Sequence, residues 1–142
     1  MGLLDAYDLD QSELSHFGNL STRGFVDTGD NVLIGGVIVG GAVASPEKVI
    51  VRAMGPSLAT SGIQSPLQDP TLELRDGNGT LLAFNNDWKD SQQAEIVATG
   101  IPPTDDRESA IVYRLPQGPK TAIVRGKNNT VGVGLVEVYV VP

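Results

Sequence analysis

Thr71-Leu72-Glu73-Leu74-Arg75-Asp76-Gly77-Asn78-Gly79-Thr80-Leu81-Leu82-Ala83-Phe84 is the stretch that decides the fold class. Two short runs rich in Leu and Thr flank an Asp-Gly-Asn-Gly turn. Gly and Asn accept the positive φ that tight hairpin turns demand. The stretch therefore reads as a β-hairpin, with strands over 71–75 and 80–84.

The same grammar extends in both directions. Residues 48–54 alternate cleanly, with Val49, Val51 and Ala53 on one face and Lys48, Ile50 and Arg52 on the other. Short apolar runs at 3–9, 20–27, 31–39, 109–115, 121–125 and 132–141 read as further strands, and Thr28-Gly29-Asp30 separates two of them. Seventeen glycines and nine prolines keep every run short. One segment breaks the pattern: residues 90–99 read as a short helix, capped by Asp90 and ended by a left-handed Gly100. Pro102-Pro103 stops any continuation. About nine strands with one short helix predict an all-β fold of two packed antiparallel sheets, a jelly-roll-like sandwich. A closed barrel is the alternative.

Composition narrows the function classes. The chain has 142 residues, enough for one domain. It has no cysteine, which removes disulfides, thiolate metal sites and cysteine nucleophiles together. A net charge of −7 repels a phosphate backbone, so no nucleic-acid partner is expected. No apolar run reaches the roughly 20 residues of a membrane span, so membrane insertion is not expected. The start, Met1-Gly2-Leu3-Leu4-Asp5, lacks the basic region of a signal peptide.

The two ends echo one another. Gly2-Leu3-Leu4-Asp5-Ala6-Tyr7 lines up with Gly134-Leu135-Val136-Glu137-Val138-Tyr139. A module cut from a tandem array would begin with a leftover copy of the preceding module's last strand. The reading divides the chain into residues 1–18, an N-terminal strand and connector, and residues 19–142, the sandwich module. The extra strand is expected to lie beside its own sheet or to add to the sheet of a neighbouring copy. Strand addition between identical chains is head-to-tail and builds filaments or tandem arrays unless it closes. Leu3, Leu4 and Tyr7 of the first strand and Leu135, Val136 and Tyr139 of the last are the expected self-association residues.

An ordered set of motifs carries a family resemblance. Asn19-Leu20-Ser21-Thr22-Arg23-Gly24-Phe25-Val26 is followed by Gly29-Asp30-Asn31-Val32-Leu33-Ile34-Gly35-Gly36, then by Val51-Arg52-Ala53-Met54-Gly55-Pro56-Ser57-Leu58. Asn85-Asn86-Asp87-Trp88, Glu108-Ser109-Ala110-Ile111 and Thr121-Ala122-Ile123-Val124-Arg125-Gly126 come later. From Asn19 onward the chain resembles a repeat module of large secreted and cell-surface proteins of environmental bacteria, mostly uncharacterised. Asp69-Pro70-Thr71-Leu72-Glu73-Leu74, Asp76-Gly77-Asn78-Gly79, Asn85-Asn86-Asp87 and the Leu115-Pro116-Gln117-Gly118 turn make the chain, from Asp69 to about Tyr139, more loosely similar to the pre-peptidase C-terminal domain. The glycine-rich first half departs from that second pattern. These resemblances imply an extracellular or cell-surface location, a β-sandwich, and a structural or accessory role.

Catalysis finds little support. The only histidine, His16, sits in a polar connector, and a Ser–His–Asp arrangement needs a base that is held in place. Asp105, Asp106 and Glu108 lie close in sequence, but solvated loop acids do not acquire the raised pKa that glycosidase chemistry requires. No enzymatic activity and no required cofactor are expected. Calcium is the ion the donor set suits best. Asn86, Asp87, Asp90, Asp105, Asp106 and Glu108 offer carboxylate and amide oxygens in two loops, and calcium takes six to eight oxygens. Trp88, the single tryptophan, is either a lid on the core or a face for stacking on a sugar ring. The leading expectation is a non-enzymatic structural or adhesive module whose partner is another copy. The alternative is a carbohydrate- or surface-binding accessory module with polysaccharide as partner.

Overall fold

In the computed structural model, residues 4–8, 19–39 and 46–141 are described, with backbone alone at 4–8, 19, 38 and 39. The described residues form nine strands: β1 (Leu4–Asp8), β2 (Asn19–Val26), β3 (Leu33–Val39), β4 (Glu47–Met54), β5 (Pro70–Asp76), β6 (Leu81–Asn85), β7 (Ser109–Leu115), β8 (Gly118–Gly126) and β9 (Gly132–Val140). One α-helix, α1 (Gln93–Ala98), lies between β6 and β7.

The strands make two sheets, ordered β1-β3-β8-β5-β6 and β2-β9-β4-β7. Strands β2 to β9 pair as β2 with β9, β3 with β8, β4 with β7 and β5 with β6, all antiparallel. Successive pairs alternate between the sheets. The eight strands are thus one two-stranded ribbon wound over itself, which is a jelly-roll sandwich. The ribbon's closed end is the β5–β6 hairpin at Asp76-Gly77-Asn78-Gly79. Only Gly79 takes a positive φ there (+81°). The Asp76 carboxylate fixes the turn, accepting from the backbone N–H of Asn78 and of Thr80 at 2.9 Å each.

Alternation sets the core. Val49, Val51 and Ala53 face inward with Leu20, Leu33, Leu72, Leu74, Val124, Val136 and Val138. Ile50, on the opposite face of β4, is also fully buried, in a second cluster with Trp88, Ile96, Ala110 and Val112 beneath α1. Each such aliphatic side chain contributes about 1.5–3 kcal/mol through burial.

Three details differ from the expectations. The helix begins at Gln93, three residues late, and no side chain caps it. Asp90 instead lies in a turn in which its N–H donates to the Asp87 carbonyl, and Gln92 is engaged elsewhere. Gly100 is left-handed as expected (φ +82°). Gly55-Pro56-Ser57, whose Gly-Pro pair reads in sequence as a plain turn, opens a 3-10 helix over Pro56–Ser61. Strand β1 pairs with β3 in parallel, Leu4 beside Ile34 and Tyr7 beside Val37, in an otherwise antiparallel sheet.

Candidate functional site

Strand edges are where a sandwich meets its neighbours, because an edge carries unpaired N–H and C=O groups. The two flanks of this sandwich differ. One flank is formed by β6 and β7, the other by β2 and by β3 with its added strand β1.

At the first flank the β7 edge is already occupied. Between Glu108 and Val112, the residues that point away from β4 meet the segment 85–92. The Glu108 carbonyl accepts from the Trp88 backbone N–H at 2.9 Å. The Ala110 N–H donates to Asn85 Oδ1 at 3.1 Å. Gln92 does both jobs of a peptide group: its Nε2 donates to the Val112 carbonyl at 2.9 Å and its Oε1 accepts from the Val112 N–H at 3.0 Å. Asn85 can hold this post because it is buried and its own Nδ2 donates to the Asp87 carbonyl at 3.1 Å.

The opposite flank bears the ninth strand. Leu4–Asp8 lies outside the eight-strand winding and docks along the free edge of β3. The docking places Asp5 beside Gly35 and Ala6 beside Gly36. Of the expected self-association residues, the structure brings Leu4 and Tyr7 to an edge. Leu135, Val136 and Tyr139 are not at one, since β9 lies between β2 and β4 and pairs with both. Val136 is a core residue. Tyr139 donates to Glu137 Oε2 at 2.8 Å beneath the Arg52 guanidinium, which also pairs with Glu137. Burial first, and then the Glu137 carboxylate, pushes the Tyr139 phenol above its ordinary pKa. Leu3 and His16 lie outside the described residues.

Three of the loop acids, Asp105, Asp106 and Glu108, are held by partners. Glu108 is fully buried. Its Oε2 accepts from the Gly55 N–H (2.8 Å), the Ser57 N–H (3.0 Å) and the Ser57 hydroxyl (2.6 Å). Its Oε1 accepts from the Asp105 N–H at 3.2 Å. Asp105 pairs with Arg107 at 3.0 Å, and that hydrogen bond holds its carboxyl below the usual range. Asp106 pairs with Lys89 at 2.8 Å. The Asn86 amide, oriented to satisfy both neighbours, bridges Asp69 and Lys127. Burial, followed by the Asp87 charge, raises the Asp69 pKa. Among the described residues no three acidic or histidine side chains gather in a way that could hold a metal ion. The six expected calcium donors are therefore not brought together as a cage.

Trp88 is 6% exposed and packs on Ile50 and Ile96, so it offers no open face to a sugar. Lys89 lies over its ring at 5.4 Å. Sequence reading missed the roles of Asn85, Gln92 and Glu108. Gln92 and Val112 are twenty residues apart, and no spacing rule links a side-chain amide to a strand edge that far away.

The pre-peptidase C-terminal domain of a collagenase from Bacillus anthracis superposes on this chain with a TM-score of 0.55. The two chains share a fold. The likeness covers 97% of this chain and 96% of that domain at 13% identity. It thus runs through the glycine-rich first half, where the sequence departs from the pre-peptidase pattern. An insecticidal delta-endotoxin, Cry8Ea1 of Bacillus thuringiensis, is 12% identical over 87% of this chain and 19% of the toxin, with a TM-score of 0.36. No known family profile matches the sequence, and no curated protein matches it.

Proposed function

We propose that the chain is a non-enzymatic extracellular module that joins other copies by adding strands to its sheet edge, in tandem or as a head-to-tail filament. One observation carries this reading. A strand from outside the completed eight-strand winding occupies the β3 edge, so that edge accepts an added strand. The donor sequence echoes that of the last strand, so every module in an array would carry a strand of this type at its junction. The buried Glu108 and Trp88 and the paired Asp105 and Asp106 support a structural role, because each is used in holding the fold. The likeness to a domain appended to a collagenase fits an extracellular accessory unit.

Light scattering coupled to size exclusion, with electron microscopy of the concentrated protein, tests the proposal. The full chain is expected to form concentration-dependent assemblies. A chain lacking residues 1–10 is expected to remain monomeric while keeping its circular dichroism. Identical assembly by both chains would overturn the proposal.

A further inference from the structure

The covered β7 edge bears on how copies join. The groups that face away from β4 belong to alternate residues, Glu108 just before β7 and Ala110, Val112 and Arg114 within it, and the first three are covered. Each of these three is met by a partner from 85–92: a backbone N–H, an Asn oxygen and a whole Gln amide. A strand arriving from another chain would offer the same atoms at the same places. The segment is therefore a strand substitute built largely from side chains, and it costs the fold one buried amide, Asn85, and one half-buried amide, Gln92, to maintain. A helix packed over Ile50, Ala110 and Val112 then covers the neighbouring face through Ile96. On the other flank, among the described residues, β1 occupies the β3 edge with ordinary backbone pairing and nothing described lies beyond β1 or β2.

We infer that Asn85 and Gln92 are a gatekeeping plug that bars a second copy's strand from the β7 edge. The inference deepens the strand-joining function proposed above and rests on it for its biological meaning. Its physical content stands separately: once unplugged, β7 becomes an acceptor edge for another copy. Closing an edge in this way removes one site at which strands of other copies could pair without control.

The chain has no cysteine, so single engineered cysteines report on edges cleanly. Arg114→Cys places a thiol on exposed β7, and Ser21→Cys places one on exposed β2. Each is combined with the wild-type plug, with Asn85→Ala/Gln92→Ala, and with Gln92→Glu. Mild oxidation followed by non-reducing electrophoresis counts covalent dimers. The expected result is a severalfold faster cross-linking at position 114 in the unplugged chain, with position 21 unchanged. Gln92→Glu keeps an acceptor for the Val112 N–H but loses the donor to its carbonyl, and an intermediate rate is expected. Because this variant removes only one hydrogen bond, it serves if the double alanine chain fails to fold. Unchanged cross-linking at position 114 in a folded unplugged variant overturns the inference. If the full chain proves monomeric yet unplugging still drives dimerisation through position 114, the plug stands and the strand-joining function falls.

Discussion

Glu108→Gln is the substitution that most sharply separates a structural carboxylate from a metal ligand. The wild-type side chain is fully buried and accepts four hydrogen bonds, three at Oε2 and one at Oε1. Gln is the same size but can accept at one end only. With its oxygen toward Gly55 and Ser57, its amide N–H groups point at the Asp105 N–H, donor against donor. One bond is lost, and the other three fall from charge-assisted to neutral strength. Hydrogen bonds to charged groups contribute about 1.5–3 kcal/mol and neutral ones about 0.5–1.5. Removing the cost of burying a charge offsets part of that loss. The net expectation is a destabilisation of about 2–4 kcal/mol. For a chain of this length that corresponds to a fall in Tm of roughly 6–12 °C by calorimetry or thermal circular dichroism. Glu108→Ala should fall further, since it leaves four donors without their acceptor. A Tm within about 2 °C of wild type, well inside the expected loss, would refute the reasoning and return Glu108 to the pool of free ligands.

Other outcomes follow from the same structure. Calcium or a chelator should leave Tm unchanged, because Asp105 and Asp106 are already paired and Glu108 is buried under four donors; a calcium-induced rise of several degrees would contradict this. Burial lowers the pKa of Lys120, which is 5% exposed and donates to the Gln117 and Gly118 carbonyls. The fold therefore binds that proton less tightly than the unfolded chain, and Lys120 contributes stability only as pH rises through its lowered pKa towards 10.5. The stability advantage of Lys120→Met over wild type should thus be largest near neutrality and shrink towards pH 10, as read from urea melts; a gap that does not change with pH would refute it. Gly55→Ala would bring a Cβ within 2.0 Å of the Leu67 carbonyl oxygen, so a loss of about 3 kcal/mol or more is expected in the same melts, and a neutral effect would show that the loop moves freely.

Much of the fold was legible because period-two alternation states which side chains share a face. The inward Val49, Val51 and Ala53, the hairpin at Asp76 to Gly79 and the left-handed Gly100 all follow from local chemistry. Alternation does not say which strands are neighbours, so the ribbon winding was not legible beyond the hairpin that closes it. Ile50 shows the limit well. Its face reads as the solvent side of β4, yet α1 and Trp88 bury it. The polar residues were the least readable. Glu108 reads as a calcium donor, Gln92 as part of a helix and Asn85 as part of a loop, but each bonds to backbone that is distant in sequence. Only the folded chain reveals that their oxygens and amides complete strands and loops.

Hydrogen exchange on the chain lacking residues 1–10, with and without a peptide of residues 1–10, tests strand acceptance at β3 most directly. New protection confined to the amides of Leu33–Val39 is the predicted result. No protection there at saturating peptide, or protection along β7 instead, would contradict the account.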